Sequence, residues 1–147
     1  MKQSFKVLFV CIGNSCRSQM AEALARHIAA DVIEPASAGT WPLGMIAEGT
    51  ETVLEERNVA MDGQQSKALK PEALRWADLI VNMTGEPARR FCPHDLNKVE
   101  DWDVMDPYGH DLQIYEVTCD EVESRVGDLA RRLRQKRAEL KSAHRAS

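Results

Sequence analysis

The chain has 147 residues, a formal net charge of -4, 29% charged residues and 5% aromatics. That length suits one domain, residues 1–147, with a core large enough to need no disulfide or metal staple. The acidic balance argues against a nucleic-acid binder, no segment approaches the length of a membrane span, and the mixed composition argues against disorder, coiled coil or a disulfide scaffold.

Lys2 and Lys6 precede the apolar run Val7-Leu8-Phe9-Val10, but the run is too short for an export signal and no small-x-small cleavage pattern follows it. Phe5–Val10 is rich in β-formers and ends at Gly13 and Asn14, so it reads as a buried parallel strand. Ser18–Ala30 follows as a helix, with Ala21, Leu24, Ala25 and Ile28 on one face. A second strand is expected from Val32 to Ala38, ending at Gly39, and a second helix from Ala47 to Asn58. Asp78–Met83 reads as the clearest later strand and Val99–Val104 as a further one. Asp106–Asp111 is turn chemistry, with Pro107 and Gly109 as breakers. From Gln113 onward the spacing of Val122, Val126, Leu129 and Leu133 is helical. Alternating strands and helices imply a parallel α/β sheet, whose ligands bind at the carboxyl ends of its strands.

Cys11 stands at such an end, and the loop from Cys11 to Ser18 has the makings of an anion cradle. A strand-to-helix turn points backbone N–H groups inward, and the helix end adds partial positive charge. Ile12, Gly13, Asn14, Ser15, Cys16, Arg17 and Ser18 are therefore the expected phosphate-binding residues. Gly13 allows a close fold, Asn14 suits a left-handed turn, and Arg17 offers a bidentate fork to tetrahedral oxygens. The same field is expected to hold Cys11 as a thiolate, with Ser18 donating to the sulfur. A thiolate in a phosphate-sized cradle points to in-line attack on phosphorus and a cysteinyl-phosphate that water hydrolyses. Asp106 is the expected acid for the leaving oxygen, with Asp103 and Asp111 as competing carboxylates.

Val7–Ser18 with Met20-Ala21-Glu22, then Ser37-Ala38-Gly39-Thr40, then Asp106-Pro107-Tyr108-Gly109 resembles the low-molecular-weight protein tyrosine phosphatase family. The resemblance covers essentially the whole chain. It implies a flavodoxin-like three-layer αβα fold with a four-stranded parallel sheet, and no metal or organic cofactor. It further implies Cys11, Arg17 and Asp106 as nucleophile, phosphate clamp and acid, and Trp41 and Tyr108 as aromatic walls of a substrate cleft. The expected substrate is a phosphotyrosine protein or a small phosphoester or oxyanion, and the expected protein is a cytoplasmic monomer. Cys11 to Glu22 is also similar to the thiol-dependent arsenate reductases, which share Gln19-Met20. These use the same loop with a thiol reductant, and those coupled to thioredoxin carry two further cysteines after the third strand, where this chain has Met83-Thr84 and then only Cys92. A phosphate- or phosphotyrosine-binding module without turnover is a third alternative, though binding alone needs neither the thiol nor the acid.

Cys16, five residues from Cys11, is either a redox partner of the nucleophile or a small buried residue. Cys119, Trp76 and Trp102 read as core. Cys92-Pro93-His94 is too sparse for a metal site, and His27, His110 and His144 read as solvent or cap residues, with His110 nearest the acid turn. The cationic run Arg131–Arg137 reads as the solvated face of a final helix.

Overall fold

The computed structural model describes residues 4–146. Its strands are β1 (Phe5–Cys11), β2 (Ile33–Gly39), β3 (Leu79–Asn82) and β4 (Val99–Asp101), and its helices α1 (Arg17–Ile28), α2 (Glu48–Glu56), α3 (Pro71–Trp76) and α4 (Leu112–Ala146). The four strands form one parallel sheet in the order β2-β1-β3-β4. Strand order reverses on either side of β1, so a crevice opens at the carboxyl end of β1, where Cys11 is its last residue.

The uninterrupted apolar character of β1 has a direct cause. Phe5, Val7, Phe9 and Cys11 face the larger core, shared with α1, α2 and α4, whereas Leu8 and Val10 face a smaller core closed by Ala73, Leu74 and Trp76 of α3 and by Phe91 and Cys92. A strand buried on both faces carries no polar alternation. The result is the three-layer αβα arrangement. In the larger core Phe9 meets Trp102 with ring centroids 5.7 Å apart, and Val122, Val126 and Leu129 of α4 are fully buried there.

Two elements and one side chain depart from the sequence reading. The helix α3 was not expected; it is six residues long, begins with Pro71 at its first turn and buries none of its residues fully, so its periodicity is too short to register. The strand expected over Val99–Val104 pairs only to Asp101, after which the chain leaves the sheet. Trp76 is half-buried against the smaller core, with the Lys6 ammonium 5.9 Å above its ring. Trp102 is fully in the core. Of the cationic run, Arg131 and Arg132 pair with Asp128, Arg132 also with Glu100, and Arg134 and Arg137 with Asp31. Among the described residues no helix is long and apolar enough to cross a membrane.

Gly39, at the end of β2, sits against the loop that follows β1. A Cβ there would lie 2.6 Å from the Ile12 carbonyl oxygen and 3.0 Å from the Asn14 nitrogen, both backbone atoms. Gly39→Ala is therefore expected to destabilise the protein by about 1–3 kcal/mol. Gly127→Ala, in mid-α4 with open space at the Cβ position, is expected to stabilise it by about 0.5–1 kcal/mol. Denaturant titration of both variants checks the pair.

Candidate active site

The loop 12–16 carries its own orientation signal in the bonds its carbonyls accept. Trp41 N–H donates to Ile12 O at 2.8 Å, Leu43 N–H to Gly13 O at 3.0 Å, and Ala47 N–H to Ser15 O at 3.2 Å. The Ser66 hydroxyl also donates to Gly13 O, the Gln19 amide to Asn14 O, and the Thr50 hydroxyl to Ser15 O. Among the described residues every peptide bond is trans, so each outward carbonyl turns the next N–H inward. The N–H groups of residues 13 to 16 therefore converge on one hollow at the N-terminus of α1, a natural seat for an anion.

At the floor of that hollow lies the Cys11 sulfur, which is buried. The Ser18 hydroxyl is 2.8 Å from Sγ, and the Asn14 N–H donates to it at 3.2 Å. Asn14 has φ 49°, the left-handed turn expected from its residue type. Its side-chain amide donates to Ser18 Oγ at 2.8 Å, and its Oδ1 accepts from the Lys67 N–H at 2.8 Å and the Gln19 amide at 3.0 Å.

Arg17 is almost fully buried, and its guanidinium reaches from α1 across to the segment after β4. Nη1 donates to the Val104 carbonyl at 3.2 Å and Nη2 lies 3.6 Å from Asp106 Oδ2. Its Nε, like the Ser15 hydroxyl, is buried without a partner. Buried donors of this kind are costly unless something fills the hollow. A tetrahedral oxyanion seated there would offer them acceptors.

The three carboxylates left open by the sequence separate by geometry. Asp106 lines the cleft, half-exposed, and accepts the Tyr108 N–H at 3.1 Å. Asp111 instead accepts the Ile114 N–H and caps α4. Asp103 lines a different cleft with Glu86 and Asp101. Trp41 and Tyr108 flank the cradle with Ile12 and Leu43, and both rings are largely open to solvent. His110 is exposed and does not line the cleft.

Cys16 lines the cleft floor, but its thiol donates to the Tyr115 hydroxyl at 3.6 Å, and burial pushes that thiol up despite this bond. Burial likewise raises Tyr115. Cys119 is fully buried and pushed up to about 11, again by burial. Cys92 is buried in the smaller core and its thiol is raised for the same reason.

Several residues that fasten the cradle escaped the sequence reading. Gln19 is fully buried, and its amide nitrogen is 3.0 Å from each of Asn14 O, Asn14 Oδ1 and Gln65 O, while its Oε1 accepts from Gln64 at 2.7 Å. Glu22, also buried, accepts from Ser37 at 2.6 Å and Arg26 at 2.7 Å, with the Lys67 ammonium at 3.8 Å. A polar residue placed one turn into a helix whose neighbours are small and apolar was the available signal for both.

The chain is similar to known proteins in both sequence and fold. The family described as low molecular weight phosphotyrosine protein phosphatase matches residues 6–139. A protein-arginine-phosphatase of Geobacillus stearothermophilus is 32% identical, covering 88% of this chain and 96% of its own length. An arsenate reductase of Bacillus cereus is also 32% identical, covering 86% of this chain and 94% of its own. The solved structure of the YwlE arginine phosphatase from Geobacillus stearothermophilus superposes with a TM-score of 0.83 at 30% identity, over 92% of this chain and 96% of that one. The chain belongs to the low molecular weight phosphotyrosine protein phosphatase family.

Proposed function

We propose that the protein hydrolyses phosphorylated protein side chains through a cysteinyl-phosphate on Cys11. The observation that carries this reading is the convergence of a buried sulfur, inward peptide N–H groups and the unpartnered Arg17 Nε on one hollow, with the Asp106 carboxyl at its mouth. Cys11 Sγ attacks phosphorus in line, forming the S–P bond as the P–O bond to the leaving group breaks. Asp106, in its acid form, gives that oxygen its proton. Water then attacks phosphorus, Asp106 takes a proton from it, the S–P bond breaks and inorganic phosphate departs. The cradle residues Ile12, Gly13, Asn14, Ser15, Cys16, Arg17 and Ser18 hold the equatorial oxygens throughout, their donors aimed where negative charge concentrates in the transition state.

Phosphotyrosine is the substrate favoured by the cleft walls, because Trp41 and Tyr108 offer faces and edges to an aryl ring. Phosphoarginine is a second reading, favoured by the activity named for the 32%-identical relative; a guanidinium is also planar and also stacks on aromatic faces. Arsenate reduction is less favoured: apart from Cys11, only Cys16 among the four cysteines lines the cleft, whereas Cys92 and Cys119 are buried elsewhere. The free cysteines suit a reducing, cytoplasmic setting.

Purified protein assayed on phosphotyrosine, phosphoarginine, and arsenate with added thiol tests the assignment. Turnover of a phosphorylated residue without thiol is the expected result, and arsenate-dependent thiol consumption alone would overturn it. Asp106→Asn is expected to slow tyrosyl and alkyl esters by at least about a hundredfold while sparing esters with excellent leaving groups, which need little protonation. Equal loss on both would remove Asp106 as the acid. Gln19→Leu keeps the volume but strips the donors from Asn14 and Gln65. It should lower stability by about 1–3 kcal/mol and kcat by about tenfold, with KM changed less; unchanged kcat would show that the amide does not position the loop.

A further inference from the structure

The apolar surface around the cradle extends well beyond what a phosphorylated side chain touches. Trp41, Leu43, Met45, Met105, Tyr108 and Leu112 are all exposed, Met45 by 58% and Met105 by 51%. Together with Ile12 they make up most of the large hydrophobic side chains exposed among the described residues. They sit on two segments. Residues 41–45 are pinned to the cradle by the Ile12 and Gly13 carbonyls, and residues 105–112 carry Asp106 into the start of α4. Met45, Met105 and Leu112 lie outside the cleft lining, so neither a free oxyanion nor an isolated aryl phosphate accounts for their exposure. Concentrated exposed apolar surface marks an interaction site, and methionine adapts to varied partners.

The ionised side chains carried by these two segments have one sign. Glu48 lies just past the first segment, Asp106 and Asp111 belong to the second, and neither segment 40–48 nor segment 105–112 contains a lysine or arginine. The rim is also continuous with the cleft through Trp41, Leu43 and Tyr108.

We propose that this rim docks the substrate polypeptide on either side of its phosphorylated residue, selecting segments with apolar immediate neighbours and lysine or arginine just beyond them. The inference rests on the reading of the protein as a phosphatase of protein side chains, and it assigns Met45, Met105 and Leu112 to substrate choice rather than to chemistry.

Two phosphotyrosine peptides test it, one flanked by leucine and then lysine, the other by serine and then glutamate, with para-nitrophenyl phosphate as a small ester that fills only the cleft. The native protein should favour the apolar, basic peptide by about tenfold or more in kcat/KM. Met45→Gln with Met105→Gln should reduce that preference several-fold, through KM, while leaving para-nitrophenyl phosphate turnover unchanged. Binding of both peptides to Cys11→Ser, followed by tryptophan fluorescence, reads the same preference without turnover. Turnover of the small ester with equal use and equal binding of the two peptides overturns the rim and leaves the phosphatase. Preferential binding with no turnover of any ester overturns the phosphatase and leaves the rim. A native dimer that dissociates in the double variant, with no peptide preference, would assign the patch to a second copy of the chain and refute the proposal.

Discussion

Everything at this site depends on one residue held in a left-handed turn. Asn14 at φ 49° costs roughly 1–2 kcal/mol relative to ordinary helical backbone, and it is completely buried. A buried polar residue in a strained turn persists only when its surroundings satisfy it. Here the N–H meets the Cys11 sulfur, the carbonyl and Oδ1 meet Gln19, Oδ1 also meets the Lys67 N–H, and the side-chain amide meets Ser18. One residue, through its backbone and side chain together, thus ties the end of β1, the first turn of α1 and the segment around residue 67. Gly39 allows this closure, because any Cβ there would collide with the backbone of Ile12 and Asn14.

The electrostatic character of the hollow follows from that fastening. With the carbonyls of residues 12 to 15 engaged outward, the inward-facing groups are donors, and the positive end of α1 lies behind them. Arg17 adds a full charge, buried and held by the Val104 carbonyl rather than by a close carboxylate pair, since Asp106 stands off at 3.6 Å. The Arg17 Nε and the Ser15 hydroxyl are buried without a partner of their own, which is costly unless an acceptor meets them. Asp106 is kept at the mouth by its own turn, Oδ1 accepting the Tyr108 N–H, and its Oδ2 stands beside the Arg17 guanidinium.

The parts readable from sequence were those with local causes. Strand β1 declared itself because both its faces are buried, α1 because small apolar residues recur at helical spacing, and the cradle because Gly13, Asn14, Arg17 and Ser18 each have a conformational or charge reason to follow Cys11. What escaped had causes lying elsewhere in the fold. Nothing local in Gln64-Gln65-Ser66-Lys67 points to the site, yet Gln64, Ser66 and the backbone of Gln65 and Lys67 bond the cradle or Gln19. Sequence separates Asp106 from Asp103 and Asp111 only through its neighbours Pro107 and Gly109; the fold parts them further, because the chain leaves the sheet after Asp101 and Asp111 caps α4. The thiol of Cys16 was open between redox partner and packing, and its bond to Tyr115, nearly a hundred residues away in sequence, belongs to tertiary structure alone.

The most direct test of the account is to stop the reaction after the first transfer and locate the phosphoryl group. Asp106→Asn, mixed with an aryl phosphate bearing an excellent leaving group and quenched rapidly in acid, slows hydrolysis of the intermediate more than its formation. Peptide mass spectrometry should then find a phosphoryl group on the sulfur of Cys11, absent when Cys11 is replaced by alanine. A phosphoryl group on any other residue, or release of the leaving group with an unmodified Cys11 at every quench time, would contradict the account.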